Sequence, residues 1–291
     1  TDGWKSYDEI EEGEKTYSID DEGEVVYDII FEKHVCREPT EAIEYSQAQN
    51  NFSMVLTPNH RCVIQVYNSR DQKHQDIRFV RAKNLKGSHR ILRRPLSFSD
   101  DEPEPLSDDF VRLLAWVSSE GSYGSFTGTK SDAVRITITQ SQKANPGLCD
   151  EIQSLLDRVG GARHFKYDYH PSSTWTLSGR VRERVAGTMP EKRPTYELMD
   201  QFSPRQMKLF VDTFLKGDGS KNSEVSWLLT QKDPRVIEVI QAMATLVGYT
   251  TTNYEQNSRG NTRLNITKGD KRTDVGSLQK KRTTNEMRWS V

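Results

Sequence analysis

Apolar residues recur along this chain with two different periods, and the change of period divides it. Up to residue 95 the apolar positions come in short runs. Glu24 to Lys33, Phe52 to Leu56 and Cys62 to Tyr67 read as strands, with turn punctuation such as Asp21-Glu22-Gly23 between them. This part is expected to be all-β. The stretch from Pro95 to Pro105 is acidic and carries three prolines, Pro95, Pro103 and Pro105, as a linker does. Helical periodicity starts after it.

Two helix starts are legible. Ser107 is a good N-cap, and Asp108 and Asp109 lie where the helix dipole favours negative charge. That helix should run to Ser119. At the second start Ser203 caps, Pro204 takes the first helical position, and Gln206 completes a Ser-x-x-Gln capping box. The two helices end alike. One closes as Leu113-Leu114-Ala115-Trp116-Val117-Ser118-Ser119-Glu120-Gly121, the other as Val211-Asp212-Thr213-Phe214-Leu215-Lys216-Gly217-Asp218-Gly219. Their acids stand 98 residues apart.

The segments after these two helices also repeat. Val134 to Gln140 alternates apolar and polar, and Val225 to Gln231 is its less regular partner. Each leads to a helix opened by proline, after Asn145 and after Asp233. Leu148, Ile152, Leu155 and Leu156 make one apolar stripe; Val236, Ile237, Ile240, Met243 and Val247 make the other. Both helices stop at Val-Gly, at Gly160 and Gly248. A further strand comes next in each copy, Thr174 to Ser178 and Arg263 to Lys268. The unit is helix, strands, helix, strand, present twice.

A carboxylate at a helix C-terminus faces the negative end of the dipole. Two brought together repel each other as well. Cations between them would resolve both conflicts, and Mg²⁺ suits few carboxylates completed by waters and phosphate oxygens. Ala115 and Ser119 lie four apart on one face, as do Thr213 and Gly217. Small residues at that spacing let two helix backbones approach and converge Glu120 on Asp218. Gly121 and Gly219 provide the sharp exits.

Composition narrows the class. A chain of 291 residues should hold two domains. The low hydrophobic fraction, 34%, beside 29% charged residues implies large polar surfaces. No apolar run is long enough to cross a membrane, and no secretory leader is expected. Cys36, Cys62 and Cys149 lack metal-ligand spacing and read as reduced thiols of a cytosolic-type compartment. Net charge is −1, but residues 1–109 hold 14 Lys/Arg against 23 Asp/Glu, and residues 110–291 hold 27 against 19. A basic body suits a polyanion. The basic stretch Arg70, Lys73, Arg78, Arg81, Lys83, Lys86, Arg90, Arg93 and Arg94 reads either as a solvated face or as a phosphate-contacting arm.

Residues 107–275, with both acid-glycine helix ends and the repeats behind them, resemble a single-chain, two-motif LAGLIDADG homing endonuclease. The resemblance implies an α+β fold in which pseudo-twofold αββαββα repeats form a DNA-binding saddle. It implies a monomeric, site-specific double-strand DNA endonuclease in the cytoplasm of a bacterial, archaeal or phage-infected cell. The target would be long, largely asymmetric duplex DNA, cut to short 3′ overhangs. By position, Glu120 and Asp218 would bind the metal, Gln140 and Gln231 would order water or metal, and Lys192 would join the active site. Its second-repeat counterpart is Lys268, Lys271 or Lys281. The expected cofactor is Mg²⁺, with Mn²⁺ substituting and Ca²⁺ supporting binding without cleavage. Ser118 and Lys216 replace an often acidic motif position. Glu120 is one methylene longer than aspartate, which would make the two strand cuts unequal in rate.

Alternation assigns the DNA face within that resemblance. With Val134, Ile136 and Ile138 inward, Arg135, Thr137 and Thr139 point out; with Trp175 and Leu177 inward, Thr174, Thr176 and Ser178 do. With Leu264 and Ile266 inward, Arg263, Asn265 and Thr267 point out. Arg180, Arg182, Ser226 and Lys268 complete the set. Arg and Asn suit bidentate reading of G and A.

The N-terminal part, through Gly3-Trp4-Lys5, Tyr17 to Asp20 and Thr57-Pro58-Asn59-His60, resembles the Hint fold of inteins. Thr57 and His60 match the element that activates the N-terminal splice bond there. No Cys or Ser nucleophile precedes Gly3 and no terminal His-Asn closes the chain, so splicing is not expected. The resulting division is a Hint-like domain over residues 1–95, a linker over 96–106, repeats over 107–200 and 201–278, and a strand over 279–291 returning to the Hint-like domain. Two other readings stand beside the nuclease: a protein-splicing element, and a non-cleaving DNA- or RNA-binding relative.

Overall fold

A computed structural model of the protein describes residues 3, 5–21, 23–33, 40–47, 52–68, 73–74, 77–93, 95, 97–98, 105–125, 134–166, 171–254, 260–268, 273–274 and 277–285. Apart from single 3-10 turns at Tyr7–Glu9 and Ala82–Asn84, the first elements are strands: β1 (Lys15–Ile19), β2 (Glu24–Ile29), β3 (Thr40–Gln47), β4 (Phe52–Leu56), β5 (Arg61–Asn68), β6 (Lys73–His74), β7 (Arg78–Arg81), β8 (His89–Ile91) and β9 (Ser97–Phe98). Helices then alternate with hairpins: α1 (Asp108–Glu120), β10 (Gly121–Ser125), β11 (Val134–Ser141), α2 (Pro146–Val159), β12 (Ala162–Lys166), β13 (Ser172–Leu177) and α3 (Gly179–Thr188). After α4 (Tyr196–Met199) the order repeats as α5 (Pro204–Asp218), β14 (Gly219–Ser223), β15 (Ser226–Gln231), α6 (Pro234–Leu246), β16 (Thr250–Tyr254) and β17 (Thr262–Thr267). β18 (Thr273–Asp274) and β19 (Gln279–Asn285) come last. The class is α+β. Among the described residues, no helix is long and apolar enough to cross a membrane.

The contacts divide the chain into two compact units. One comprises residues 1–99, 245–255 and 264–291. Its sheets are ordered β1-β2-β9, β19-β3-β4 and β18-β8-β5-β6, with β7 also paired to β5. β19 runs antiparallel along the whole of β3, from Gln279 opposite Ser46 to Asn285 opposite Thr40. The core here is small: Ile43, Tyr45, Cys62, Ile64, Ala82 and Ile91. The buried Tyr45 hydroxyl donates to the Ala82 carbonyl at 2.7 Å, so its polar end is satisfied inside that core. Burial pushes the Cys62 thiol up to about 11, which keeps it protonated and inert. Thr57 and His60 lie in a tight turn, closed by the His60 amide donating to the Thr57 carbonyl at 3.0 Å.

The other unit comprises residues 100–244 and 256–263. β10, β11, β13 and β12 form one sheet in that order, all neighbours antiparallel. Later in this unit β14 pairs antiparallel with β15. Burial on β13 alternates strictly, with Ser173, Trp175 and Leu177 inward. Trp175 donates its indole N–H to Gln153 of α2 at 2.8 Å, which locks that helix onto the sheet. Gly160 and Gly248 end their helices in the left-handed region, with φ of 76° and 83°, which side chains disfavour.

α1 and α5 form the centre of this unit. Phe110, Val111 and every residue from Leu113 to Ser119 are buried, so α1 is enclosed on nearly all sides. The two helices run side by side in one direction, since both pairs of ends meet. At the start, Arg205 clamps Asp108 with two hydrogen bonds of 2.6 and 2.7 Å. At the end, a Cβ built on Gly217 would lie 2.5 Å from Ser119 Oγ and 3.1 Å from Glu120 Cγ. Only glycine fits there. Hydroxyl groups in this seam are satisfied within their own helices, Ser119 to the Ala115 carbonyl at 3.0 Å and Thr213 to the Leu209 carbonyl at 2.8 Å. Arg158 on Asp109 and Lys216 on Glu151 add ion pairs from α2 to α1 and α5.

Three local expectations change. Ser203 does cap α5, accepting from the Gln206 amide at 3.2 Å. The Gln206 side chain does not close the box; it donates to the Leu106 carbonyl at 2.6 Å, tying α5 to the start of α1 instead. Val134 is 36% exposed rather than core, because it opens β11 opposite Ser125 at the end of the hairpin farthest from α1. Thr267 is buried although alternation puts it outward: period two fixes a face, not whether that face is covered at the strand end.

Gly217→Val is expected to destabilise the protein by about 1–3 kcal/mol through overpacking of the helix seam, read as a lower urea midpoint. An unchanged midpoint would show that the helices do not touch at Gly217.

Candidate active site

Both helices deliver their last residue to the same place. The chain leaves α1 and α5 without a loop: Gly121 already pairs with Ile138, and Gly219 with Leu229. A Cβ on Gly121 would lie 2.1 Å from the Val117 carbonyl oxygen, and one on Gly219 2.5 Å from that of Leu215. Neither glycine is left-handed; each is required by steric contact with its own helix. Glu120 and Asp218 therefore sit at the junction of a rigid helix and a rigid sheet.

Each acid has the same partner. Gln140 Nε2, at the end of β11, donates to Glu120 Oε1 at 2.9 Å, and Gln231 Nε2, at the end of β15, donates to Asp218 Oδ2 at 2.8 Å. Gln140 is itself fixed. It is buried, and its Oε1 accepts from the Ser141 amide at 2.7 Å and from Asn145 Nδ2 at 3.0 Å, which sets the amide's orientation. Asn145, expected only as the residue before a proline-started helix, thereby holds the glutamine that holds the acid.

Lys192 completes the group. Its Nζ donates to the Ser119 carbonyl at 3.4 Å, and its charge acts on both acids. Burial raises the Glu120 carboxyl above its ordinary value, and the charge of Asp218 raises it further; Gln140 and Lys192 partly offset this. Burial likewise raises Asp218, against Gln231 and Lys192. Among the described residues one cation acts on these two half-buried acids, which leaves an excess of negative charge there. No described residue donates a hydrogen bond to the second oxygen of either carboxylate, and hard oxygen donors placed in this way fit a divalent cation such as Mg²⁺. The protein supplies no closed cage: among the described residues there is no group of three or more His, Cys, Asp or Glu that could hold a metal by itself. The remaining ligands would come from water and a bound phosphate.

Beyond the acids, the outer face of the β10-β11-β13-β12 sheet is polar. Thr137 stands opposite Thr176, and Thr139 opposite Thr174. The Thr139 and Thr174 hydroxyls are hydrogen-bonded at 3.2 Å, and Ser122 bonds Thr137 at 2.7 Å. Arg135 is exposed beside Gly124. The register adds Arg163, opposite Thr176, and Phe165, opposite Thr174, to the same face. Neither is legible from the sequence, since β12 has no clear alternation and only the cross-strand pairing reveals its face.

Other candidates fall elsewhere. Ser178 is the residue before α3 and donates its hydroxyl to the Gly161 carbonyl at 3.0 Å. Arg180 and Arg182 lie on α3, a helix not foreseen, where Arg182 pairs with Glu183 at 3.3 Å. Ser226 opens β15, and Arg263 is an exposed residue of β17. Asn265 is half-buried on β17. Lys268 lies against the Tyr249 ring, 5.5 Å from its centroid. Lys281 is on β19, paired with Glu44 of β3, and Lys271 lies outside the described residues.

No family model matches the chain, and no curated protein matches it. Among solved structures, it is similar to the homing endonuclease I-DmoI in complex with DNA and Mn, at 18% identity over 55% of this chain and 89% of that one, with a TM-score of 0.42. The homing endonuclease I-WcaI bound to its DNA recognition sequence is similar at 10% identity over 56% and 76% of the two chains, with a TM-score of 0.35. The LAGLIDADG meganuclease I-AabMI bound to uncleaved DNA gives 10%, 56%, 79% and 0.36.

The raised carboxyls predict a stability effect with a definite sign. Between the unfolded carboxyl value, about 4, and the folded values, the native state holds more protons than the unfolded one, so stability falls as pH rises. In metal-free buffer at pH 7, Glu120→Gln and Asp218→Asn should each raise the melting temperature, by about 2 °C or more. The gain should vanish below about pH 4. Lower melting temperatures at pH 7 would show that the acids are not penalised in the fold.

Proposed function

We propose that the chain is a site-specific, divalent-metal-dependent DNA endonuclease of the LAGLIDADG type. The observation that carries the reading is the doubled Gln-carboxylate pair at the ends of two touching helices, with Lys192 beside both. Two desolvated acids, both short of positive charge, suit ions that arrive with a phosphodiester. Glu120 and Asp218 would hold them, and Gln140 and Gln231 would keep one oxygen of each acid occupied so that the other faces the metal. Bound Mg²⁺ supplies activation of water and stabilisation of charge on the scissile phosphate. Lys192 would stabilise negative charge developing there. Mn²⁺ should replace Mg²⁺, and Ca²⁺ should support binding alone.

The substrate reading rests on the sheet face. Its threonine and serine hydroxyls, with Arg135 and Arg163, offer donors and acceptors to base edges and phosphates in the major groove. Two such repeats in one chain suit a long asymmetric duplex and a monomeric enzyme. We also assign the all-β unit to the Hint type, on the turn holding Thr57 and His60 and on the pairing of β19 with β3. The nuclease would then be associated with an intein.

In a selection on a randomised duplex library with Mg²⁺, the wild-type chain should return a cleaved sequence. Glu120→Gln or Asp218→Asn should reduce its double-strand cleavage by at least about 10³-fold, while binding in Ca²⁺ persists. Full cleavage by both variants would falsify the assignment; specific binding with no cleavage by the wild type would favour a binding-only protein.

A further inference from the structure

Lys192 occurs once in a unit whose other site residues occur twice, and its placement is unusually constrained. It sits in the segment joining the repeats, between α3 and α4. Its φ is 65°, in the left-handed region, and among the described residues no other non-glycine residue has a positive φ. A lysine kept in a disfavoured backbone conformation needs surroundings that hold it there.

Those surroundings come from both repeats. From the first, the half-buried Tyr123 on β10 donates its hydroxyl to the Met189 carbonyl at 2.6 Å. That carbonyl also accepts the Lys192 amide, at 3.5 Å. Tyr123 thus grips the very group around which the turn closes. From the second repeat, Asp233 accepts from Arg193 at 3.0 Å. Asp233 is not a loose surface partner: its Oδ1 accepts the Arg235 amide at 3.1 Å, capping α6, and Arg235 also binds it through its guanidinium. Glu191 holds Arg193 from the other side. The residues immediately and three positions before Lys192, and the one after it, are therefore anchored, while its side chain extends to the Ser119 carbonyl.

We propose that Tyr123, Arg193 and Asp233 are positioning residues that clamp the joining segment to both repeats and so hold Lys192 beside Glu120 and Asp218. None of the three needs to touch substrate. Their effect on reaction passes through Lys192, which rests on the nuclease reading given above. Because the clamp draws one strap from each repeat, loosening either should free the same cation.

The test uses the full chain and a duplex recovered by the library selection. Tyr123→Phe removes one hydroxyl, Arg193→Ala removes the strap, and Asp233→Asn removes its charge while keeping a residue that caps helices well. Each should lower single-turnover cleavage roughly 10- to 100-fold with unchanged duplex affinity in Ca²⁺. Made in a Lys192→Met background, each should cost less than about twofold further, because the group it positions is gone. Equal losses in both backgrounds, or no loss in the wild-type background, would overturn the clamp. Hydrogen exchange at the amides of Thr188, Met189, Glu191, Lys192 and Arg193 decides it independently of activity. Faster exchange in all three variants supports the clamp, and unchanged exchange refutes it, even if the wild-type chain cuts no duplex and the nuclease reading falls.

Discussion

The contact between Gly217 of α5 and Ser119 of α1 governs the geometry of the helical unit. Helix axes cannot come this close with a side chain in the way. Once they do, every later residue is committed: the helices end together, the glycines turn the chain into the sheets at once, and the two acids arrive side by side. The acids are not favoured by the helix ends themselves. They face helix C-termini and one another while partly withdrawn from water, and the fold accepts that penalty because the apolar burial along α1 and α5 is far larger. The proposed metal-binding role would account for charges that oppose the fold in this way.

Much of this is legible in the chain because it depends on local rules. Ser107 and Ser203 as caps, Gly160 and Gly248 as helix ends, and the small faces of the central helices all follow from single-residue chemistry at known spacings. Gln140 and Gln231 are found through repetition, which locates equivalent residues without saying what they touch. The tertiary partners are not legible. Asn145 on Gln140, Tyr123 on the Met189 carbonyl and Arg193 on Asp233 join residues from 5 to 66 positions apart, with no periodic signature. Gln206 shows the same limit from the other side: a capping-box pattern is satisfied only halfway, because the Leu106 carbonyl lies within reach. Strand faces read well in mid-strand and poorly at the ends, as Val134 and Thr267 show, since coverage by other elements is not encoded in alternation. α3 escapes the sequence because its polar, arginine-rich run has little apolar stripe.

The duplication is close but unequal in ways that matter physically. Glutamine meets glutamate in one half and aspartate in the other, at nearly the same distance, so the one-methylene difference is absorbed in where the carboxylate stands rather than in its hydrogen bond. Asn145 and Asp233 hold the same place before a proline-started helix, yet one serves the glutamine and the other serves the joining segment. Identical folding instructions have been given different duties.

The joining segment makes the two halves chemically indivisible. Two separate copies of either repeat, assembled about a true twofold, would keep two acids and two glutamines but would bring either no bridging lysine or a pair of them. The covalent connection is thus an element of the charge balance at the centre, and a break in it would change the electrostatics of the site before it changed its shape.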